Sequence, residues 1–206
     1  MTLYFGLLLL GKKFCARRFC WMVVAVSALA LFAAKVDGAQ IAVLAAIVLM
    51  LFFSQWRWMS VLVIAVGGTL IIFSDRVRAL VFFQDVSGDV RLALWKGTIN
   101  LLRAHPFVGA GIGGFPDVYD QYRLPAHIEL LLYPHNLLFD FWTAFGLLGA
   151  VWIVVMVTWI IVVLVRRLSF NDFFPKILLG VMTTYVVYGL VDVVYFKNDL
   201  AVLWWM

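Results

Sequence analysis

Long apolar runs dominate this chain: Phe19 to Ala34, Ala39 to Phe53, Trp58 to Phe73, Leu137 to Val165 and Ile177 to Phe196. Each approaches the roughly 20 apolar residues that a helix needs to cross a bilayer, and the shorter ones can borrow flanking residues. Hydrocarbon offers no water to backbone N–H and C=O groups, so runs of this kind fold as helices that satisfy those groups internally. Only 13% of the 206 residues are charged and 66% are hydrophobic. A soluble domain with about 25% charge is thereby excluded, and so is a disordered chain. Two shorter runs, Thr2 to Leu10 and Leu200 to Met206, read as parts of further helices, so a piece of a larger membrane domain is expected. The expected fold is an all-α polytopic membrane protein of about five to six transmembrane helices with one large external loop containing short amphipathic helices.

Basic residues set the orientation, because short loops rich in Lys and Arg stay in the cytoplasm. Lys12, Lys13, Arg17 and Arg18 mark one such loop, Arg57 a second, and Arg166, Arg167 and Lys176 a third, opposed there by Asp172 alone. The alternate loops are balanced, Lys35 with Asp37 and Lys197 with Asp199. Residues 74–134 carry six bases and six acids, so the net charge of +5 arises in the cytoplasmic loops. A pI near 9.4 therefore reports topology, and no nucleic-acid partner is expected. Cys15 and Cys20, beside the first basic cluster, are too few for a disulfide framework. That cluster and the run after it resemble a secretory signal locally, but further crossings follow, so a first membrane helix is the better reading. The chain divides into transmembrane helices over 1–73, the external loop over 74–135, and transmembrane helices over 136–206.

An external excursion of about sixty residues in a chain otherwise poor in loops marks the place for chemistry. It also holds all three histidines, His105, His127 and His135. Asp89 to Ala104 reads as a helix capped by Ser87 or Asp89 and ended by His105-Pro106. At 100° per residue Asp89, Lys96, Asn100 and Arg103 share one side, while Arg91 falls opposite, beside Trp95, Thr98 and Leu102. A guanidinium on an apolar face needs an anionic partner. Either Arg91 points into a site and grips phosphate oxygens, or it snorkels or pairs with Asp85 or Asp89.

Gly109, Gly111 and Gly114 match a dinucleotide-binding pattern, but a helix and Pro106 precede them where a strand is required. They read instead as a tight turn at the membrane surface, which either presents amides to a phosphate or lets the chain pack closely. Beyond it, the 29 residues of Leu137 to Val165 make about 43 Å of helix, longer than the roughly 30 Å hydrocarbon core, so the first turns should stand outside it. Pro134 suits a first helical position, which puts His135 in the first turn, where the helix dipole disfavours imidazolium. A neutral imidazole there serves as a general base; the alternative is a histidine that caps the helix or satisfies a buried carbonyl. A metal site from His105, His127, Glu129 and His135 lacks any HxxxH or HExxH spacing, and no GxSxG nucleophile occurs.

Ser87-Gly88-Asp89-Val90-Arg91-Leu92-Ala93-Leu94-Trp95, then His105-Pro106-Phe107-Val108-Gly109-Ala110-Gly111 with Phe115, then Pro134-His135-Asn136, then Phe145-Gly146-Leu147-Leu148-Gly149 resembles the bacterial O-antigen ligase and polymerase family, covering Arg91 to Gly149 closely. Family members are polytopic lipid-linked glycan transferases with more crossings than this chain, which looks like their C-terminal half. The resemblance implies a glycosyltransferase of the bacterial inner membrane, its large loop facing the periplasm. Such an enzyme moves a glycan from a polyprenyl-pyrophosphate carrier to a lipid or glycan acceptor hydroxyl. It implies His135 as the residue that activates the acceptor and Arg91 as the pyrophosphate ligand; Asn136, His105, Arg103, Lys35 and Asp140 are the further residues expected to contact substrate. No metal or other cofactor is expected, because pyrophosphate is a good leaving group and fixed cations can stabilise its developing charge.

Two positions depart from the family pattern. Val36-Asp37-Gly38-Ala39 stands where Ser-Arg is usual, leaving Lys35 as the nearby cation, and Ala144 replaces a glutamate for which Asp140, on the same helical face, can substitute. Asp192, expected inside the last crossing, has Lys197 or Arg91 as candidate partner. Ligase, chain-extending polymerase and protein O-oligosaccharyltransferase are not separable from sequence, because acceptor choice lives in loop surfaces. A transporter or binding subunit for lipid-linked glycan is the non-enzymatic alternative.

Overall fold

Helices are the only regular secondary structure among the described residues, which are 17–124, 131–168 and 173–193 of the computed structural model. They are α1 (Arg17–Ala33), α2 (Asp37–Phe52), α3 (Arg57–Phe73), α4 (Asp75–Val81), α5 (Val86–Ala104), α6 (Phe115–Tyr119), α7 (Leu137–Arg166) and α8 (Phe173–Gly189). Thr2 to Leu10, Lys12, Lys13, Cys15, His127, Glu129, Asp172, Lys197, Asp199 and Leu200 to Met206 lie outside the described residues.

Of these helices α7, with 30 residues, is the one long and apolar enough to cross a membrane alone. At 1.5 Å per residue it measures about 45 Å. The other apolar helices have 16 residues (α2) or 17 (α1, α3 and α8). Large apolar side chains such as Leu29, Phe32, Val61, Phe73, Leu148 and Trp159 face outward, a pattern that suits a lipid environment and would aggregate in water.

The chain divides into two compact units, one within 1–68 and 159–188 and the other within 69–158 and 189–206. In the first, Ala42 and Ala46 of α2 are fully buried, and Ala46 packs with Ile177, Met50 and Val181. Small residues at such contacts let helix backbones approach closely, which replaces the hydrophobic drive that lipid removes.

The second unit is organised by α5. Leu94, Leu101 and Leu102 join Phe115 and Tyr119 in a core flanked by Trp95, Phe139 and Trp142. Thr98 is buried on the same side, whereas Asp89, Lys96, Asn100 and Arg103 are exposed, so the helix faces fall as the 3.6-residue period requires. Gly97 is where Tyr119 lies against the helix: a Cβ there would come within 2.8 Å of its ring. α5 begins three residues before the expected Asp89. Its cap is Asp85, whose carboxylate accepts the Gly88 N–H at 3.1 Å, in place of Ser87 or Asp89.

The glycine turn packs against a break in α7. Gly146 has φ 68° and ψ −164°, and a side chain there would run into the Phe107 carbonyl. Breaking the helix frees the Thr143 carbonyl, which accepts from Ala110 N–H at 2.7 Å and Gly111 N–H at 3.1 Å. The Trp142 indole adds a bond to the Pro106 carbonyl at 2.8 Å. Of the two roles open to this turn, the amides of Ala110 and Gly111 serve packing, being already bonded to Thr143.

Candidate active site

α7 starts at Leu137, later than Pro134. Asn136 is its cap: the side-chain oxygen accepts from Leu138 N–H at 3.0 Å and Phe139 N–H at 3.2 Å, and its carbonyl accepts from Asp140 N–H. His135 thus precedes the helix, with φ 48°, and does not occupy the first turn expected for it. Left-handed backbone at a non-glycine residue costs of order 1 kcal/mol or more and persists only where the surroundings impose it. Three contacts do so here. The Trp95 indole donates to the Pro134 carbonyl at 3.1 Å, the Tyr133 ring lies 4.4 Å from the His135 ring, and His135 Nδ1 is 2.9 Å from Asp192 Oδ1.

Asp192 is the residue that sequence reasoning misplaced. α8 ends at Gly189, so Asp192 lies in the turn beyond the helix, and its carboxylate meets His135; Arg91 bonds to the neighbouring Val191 carbonyl, and Lys197 lies outside the described residues. Tertiary bonds hold this turn where helical ones stop. Asn136 Nδ2 donates to the Leu190 carbonyl at 2.9 Å and Arg91 Nε to the Val191 carbonyl at 3.1 Å, while Asp192 Oδ1 accepts from Val193 N–H at 2.7 Å. No local spacing announces a pair 57 residues apart; an acidic residue beside an apolar run was the available signal.

Arg91 and His135 line one cleft of about 580 Å³, together with Asp85, Val86, Ser87, Val90 and Leu131. That volume lies in the range of about 300–1,000 Å³ usual for small-ligand sites. Arg91 uses Nε to hold the Val191 carbonyl, and among the described residues no carboxylate pairs with its guanidinium. The Asp85 carboxylate is engaged in capping α5. A fixed cation at the positive end of a helix makes this wall receptive to an anion.

Nδ1 is the ring nitrogen of His135 turned to Asp192, which leaves Nε2 outside that contact. Beside the ring, Tyr133 is pushed above its ordinary pKa of 10, first by burial and then by the carboxylates of Asp192 and Asp140, so it stays a neutral phenol.

The remaining expected site residues sit elsewhere. Asp140 is 5% exposed in the first turn of α7 and does not line the cleft. Arg103 and His105 are at the far end of α5, about 18 Å or more along the axis from Arg91 at 1.5 Å per residue. Both are exposed, and His105 Nε2 is 3.2 Å from the Tyr122 hydroxyl. Lys35 belongs to the other unit and is exposed in the turn between α1 and α2. Among the described residues no group of three His, Cys, Asp or Glu side chains is placed to hold a metal ion.

No curated protein matches the chain. The family model for O-antigen ligase matches residues 22–154, which span α5, the glycine turn, His135 and the break in α7. That family is membrane-integral and acts on lipid-linked glycans, in keeping with the apolar surface and α7. With well over half of its length matched, this chain belongs to the O-antigen ligase family.

Proposed function

We propose that the protein is a metal-independent glycosyltransferase that moves a glycan from a polyprenyl-pyrophosphate carrier to an acceptor hydroxyl at the periplasmic face of the bacterial inner membrane. In this reading α1, α2, α3, α7 and α8 cross the bilayer, Arg166 and Arg167 mark the cytoplasmic end of α7, and residues 74–135 lie outside. The observation that carries it is His135 Nδ1, 2.9 Å from Asp192, in the cleft that Arg91 also lines.

The Arg91 guanidinium and the N-terminal end of α5 bind the diphosphate oxygens, bringing the anomeric carbon of the donor sugar near His135. Nε2 of His135 takes the proton of the acceptor hydroxyl as its oxygen attacks the anomeric carbon. The bond from that carbon to the diphosphate oxygen breaks, its electron pair leaves with the carrier diphosphate, and Arg91 stabilises the charge that develops there. Asp192 holds the ring in the required tautomer and stabilises the imidazolium that forms. Asn136 fixes the backbone on which His135 is carried. Arg103 and His105 lie too far along α5 for the diphosphate, which leaves them sugar units distant from the reacting carbon.

The test is transfer from a radiolabelled polyprenyl-pyrophosphate glycan in membranes containing the full chain. His135→Ala should abolish product while membrane insertion is unchanged, and Arg91→Glu should weaken carrier binding. Undiminished transfer by His135→Ala overturns the mechanism. Carrier binding without product, whichever lipid or glycan acceptor is supplied, turns the assignment towards a transporter or binding subunit.

A further inference from the structure

The glycine turn is pinned by several backbone bonds and presents bare apolar side chains. Gly109 N–H bonds to the His105 carbonyl, Ala110 and Gly111 N–H to the Thr143 carbonyl, and Gly114 N–H to the Gly111 carbonyl. The Pro106 carbonyl accepts from Trp142. Outward from these bonds stand Phe107, Val108 and Ile112, at 75%, 73% and 81% exposure. Residues 106–114 contain no charged side chain. A surface of neutral, bulky apolar tips suits the interfacial edge of the hydrocarbon better than water.

The position along α7 says where that surface lies. Counting back about twenty residues, or about 30 Å, from the basic end at Arg166 uses up the hydrocarbon thickness at Gly146. Gly146 is also where the helix breaks and where the Phe107 carbonyl packs. On either side of Gly146 in the chain, Phe145 and Leu148 are exposed as well, Leu148 at 82%.

We infer that residues 106–113 form a membrane wedge, inserting Phe107, Val108 and Ile112 among the acyl chains of the outer leaflet and anchoring the His105 end of α5 at the bilayer surface. Insertion is shallow, about 5–10 Å, as for other interfacial apolar segments. The inference rests on the proposed crossing of α7 with Arg166 inside; it does not depend on the transfer chemistry.

Depth-dependent quenching tests it. In the full chain with Cys15→Ser and Cys20→Ser, single cysteines replace Phe107, Val108 or Ile112, and also Asp117 on α6 and Val155 in α7. Each is labelled with nitrobenzoxadiazole in vesicles of phosphatidylethanolamine and phosphatidylglycerol. Labels at 107, 108 and 112 should be quenched several-fold more by lipid carrying a nitroxide high on its acyl chain than by aqueous iodide. The label at 117 should show the reverse. Iodide quenching at 107, 108 and 112 equal to that at 117, with the label at 155 quenched by lipid, sinks the wedge and leaves the crossing standing. A label at 155 untouched by lipid sinks both. Protection of 107, 108 and 112 from both quenchers means that protein covers the tip, and also overturns the inference.

Discussion

Two irregular stretches of the second unit are each tied to a helix by an indole and by backbone bonds, yet they leave opposite surfaces. Around His135, Trp95 holds the Pro134 carbonyl and Asn136 and Arg91 hold the Leu190 and Val191 carbonyls. Nitrogen capacity is left over there, at Nε2 of His135 and on the Arg91 guanidinium. Around the glycine turn, Trp142 holds Pro106 and the amides hold Thr143, and what faces outward is Phe107, Val108 and Ile112. Buried backbone must find partners in either case, so what distinguishes a reactive segment from an anchoring one is the polar capacity that remains afterwards.

The largest effect separates the two directly. His135→Ala should lower transfer by about 10²–10⁴-fold, the range for a lost general base. Val108→Ala should change it by no more than about twofold, as for an exposed substitution. Equal losses from the two, measured as initial rates with the same lipid-linked donor, would erase the distinction. Asp192→Asn should reproduce much of the His135 loss without changing carrier binding, because it disturbs the tautomer and leaves the cation at Arg91 in place.

Next in size is the seat of the glycine turn. Gly146→Ala imposes a left-handed conformation on a residue with a Cβ and drives that Cβ into the Phe107 carbonyl. It should cost about 2–4 kcal/mol, read as a lowered unfolding temperature in detergent. Wild-type stability in that variant would mean that the turn does not dock on α7.

Smaller and more discriminating is the pair of indoles. Trp95→Phe and Trp142→Phe each remove one N–H···O=C bond worth about 1 kcal/mol and leave a ring for packing. Thermal unfolding should register both. Transfer should fall only for Trp95→Phe, because the Pro134 carbonyl belongs to the segment that carries His135. A fall in transfer with Trp142→Phe as large as with Trp95→Phe would show that the two segments act as one.

Much of the helical architecture was legible in the sequence because it follows from periodicity and apolar run length. Four runs, Phe19 to Ala34 through Leu137 to Val165, fall within two residues of α1, α2, α3 and α7 at either end. The buried and exposed faces of α5 follow from the positions of Trp95, Thr98 and Leu102 against Lys96, Asn100 and Arg103. Helix ends were less legible. Asp85, Ser87 and Asp89 are all competent caps, and only packing chooses among them. Asn136 outcompetes Pro134 for the start of α7 through two side-chain bonds. The site was half legible: Arg91 stands out as a cation on an apolar face, whereas the pairing of His135 with Asp192 depends on where α8 stops, which apolar run length overestimates.

The smallest expected effect probes the same pair from the side of Tyr133. Its phenol lies against the His135 ring, and burial together with the nearby carboxylates disfavours the phenolate. A pKa raised in the folded state means that the contribution to stability is complete below the ordinary value of 10 and is lost as pH rises through the raised value. Wild type should therefore lose stability more steeply than Tyr133→Phe above pH 10, and the two should run parallel below it. Tyr119→Phe is the matching control on α6, where burial raises the phenol and Arg123 partly offsets it, far from any reacting group. Tyrosinate absorbance and unfolding followed together in detergent separate the cases. If the Tyr133→Phe titration superposes on that of wild type, the phenol is solvated in the folded protein, and the stack that helps to hold His135 in its left-handed conformation is absent.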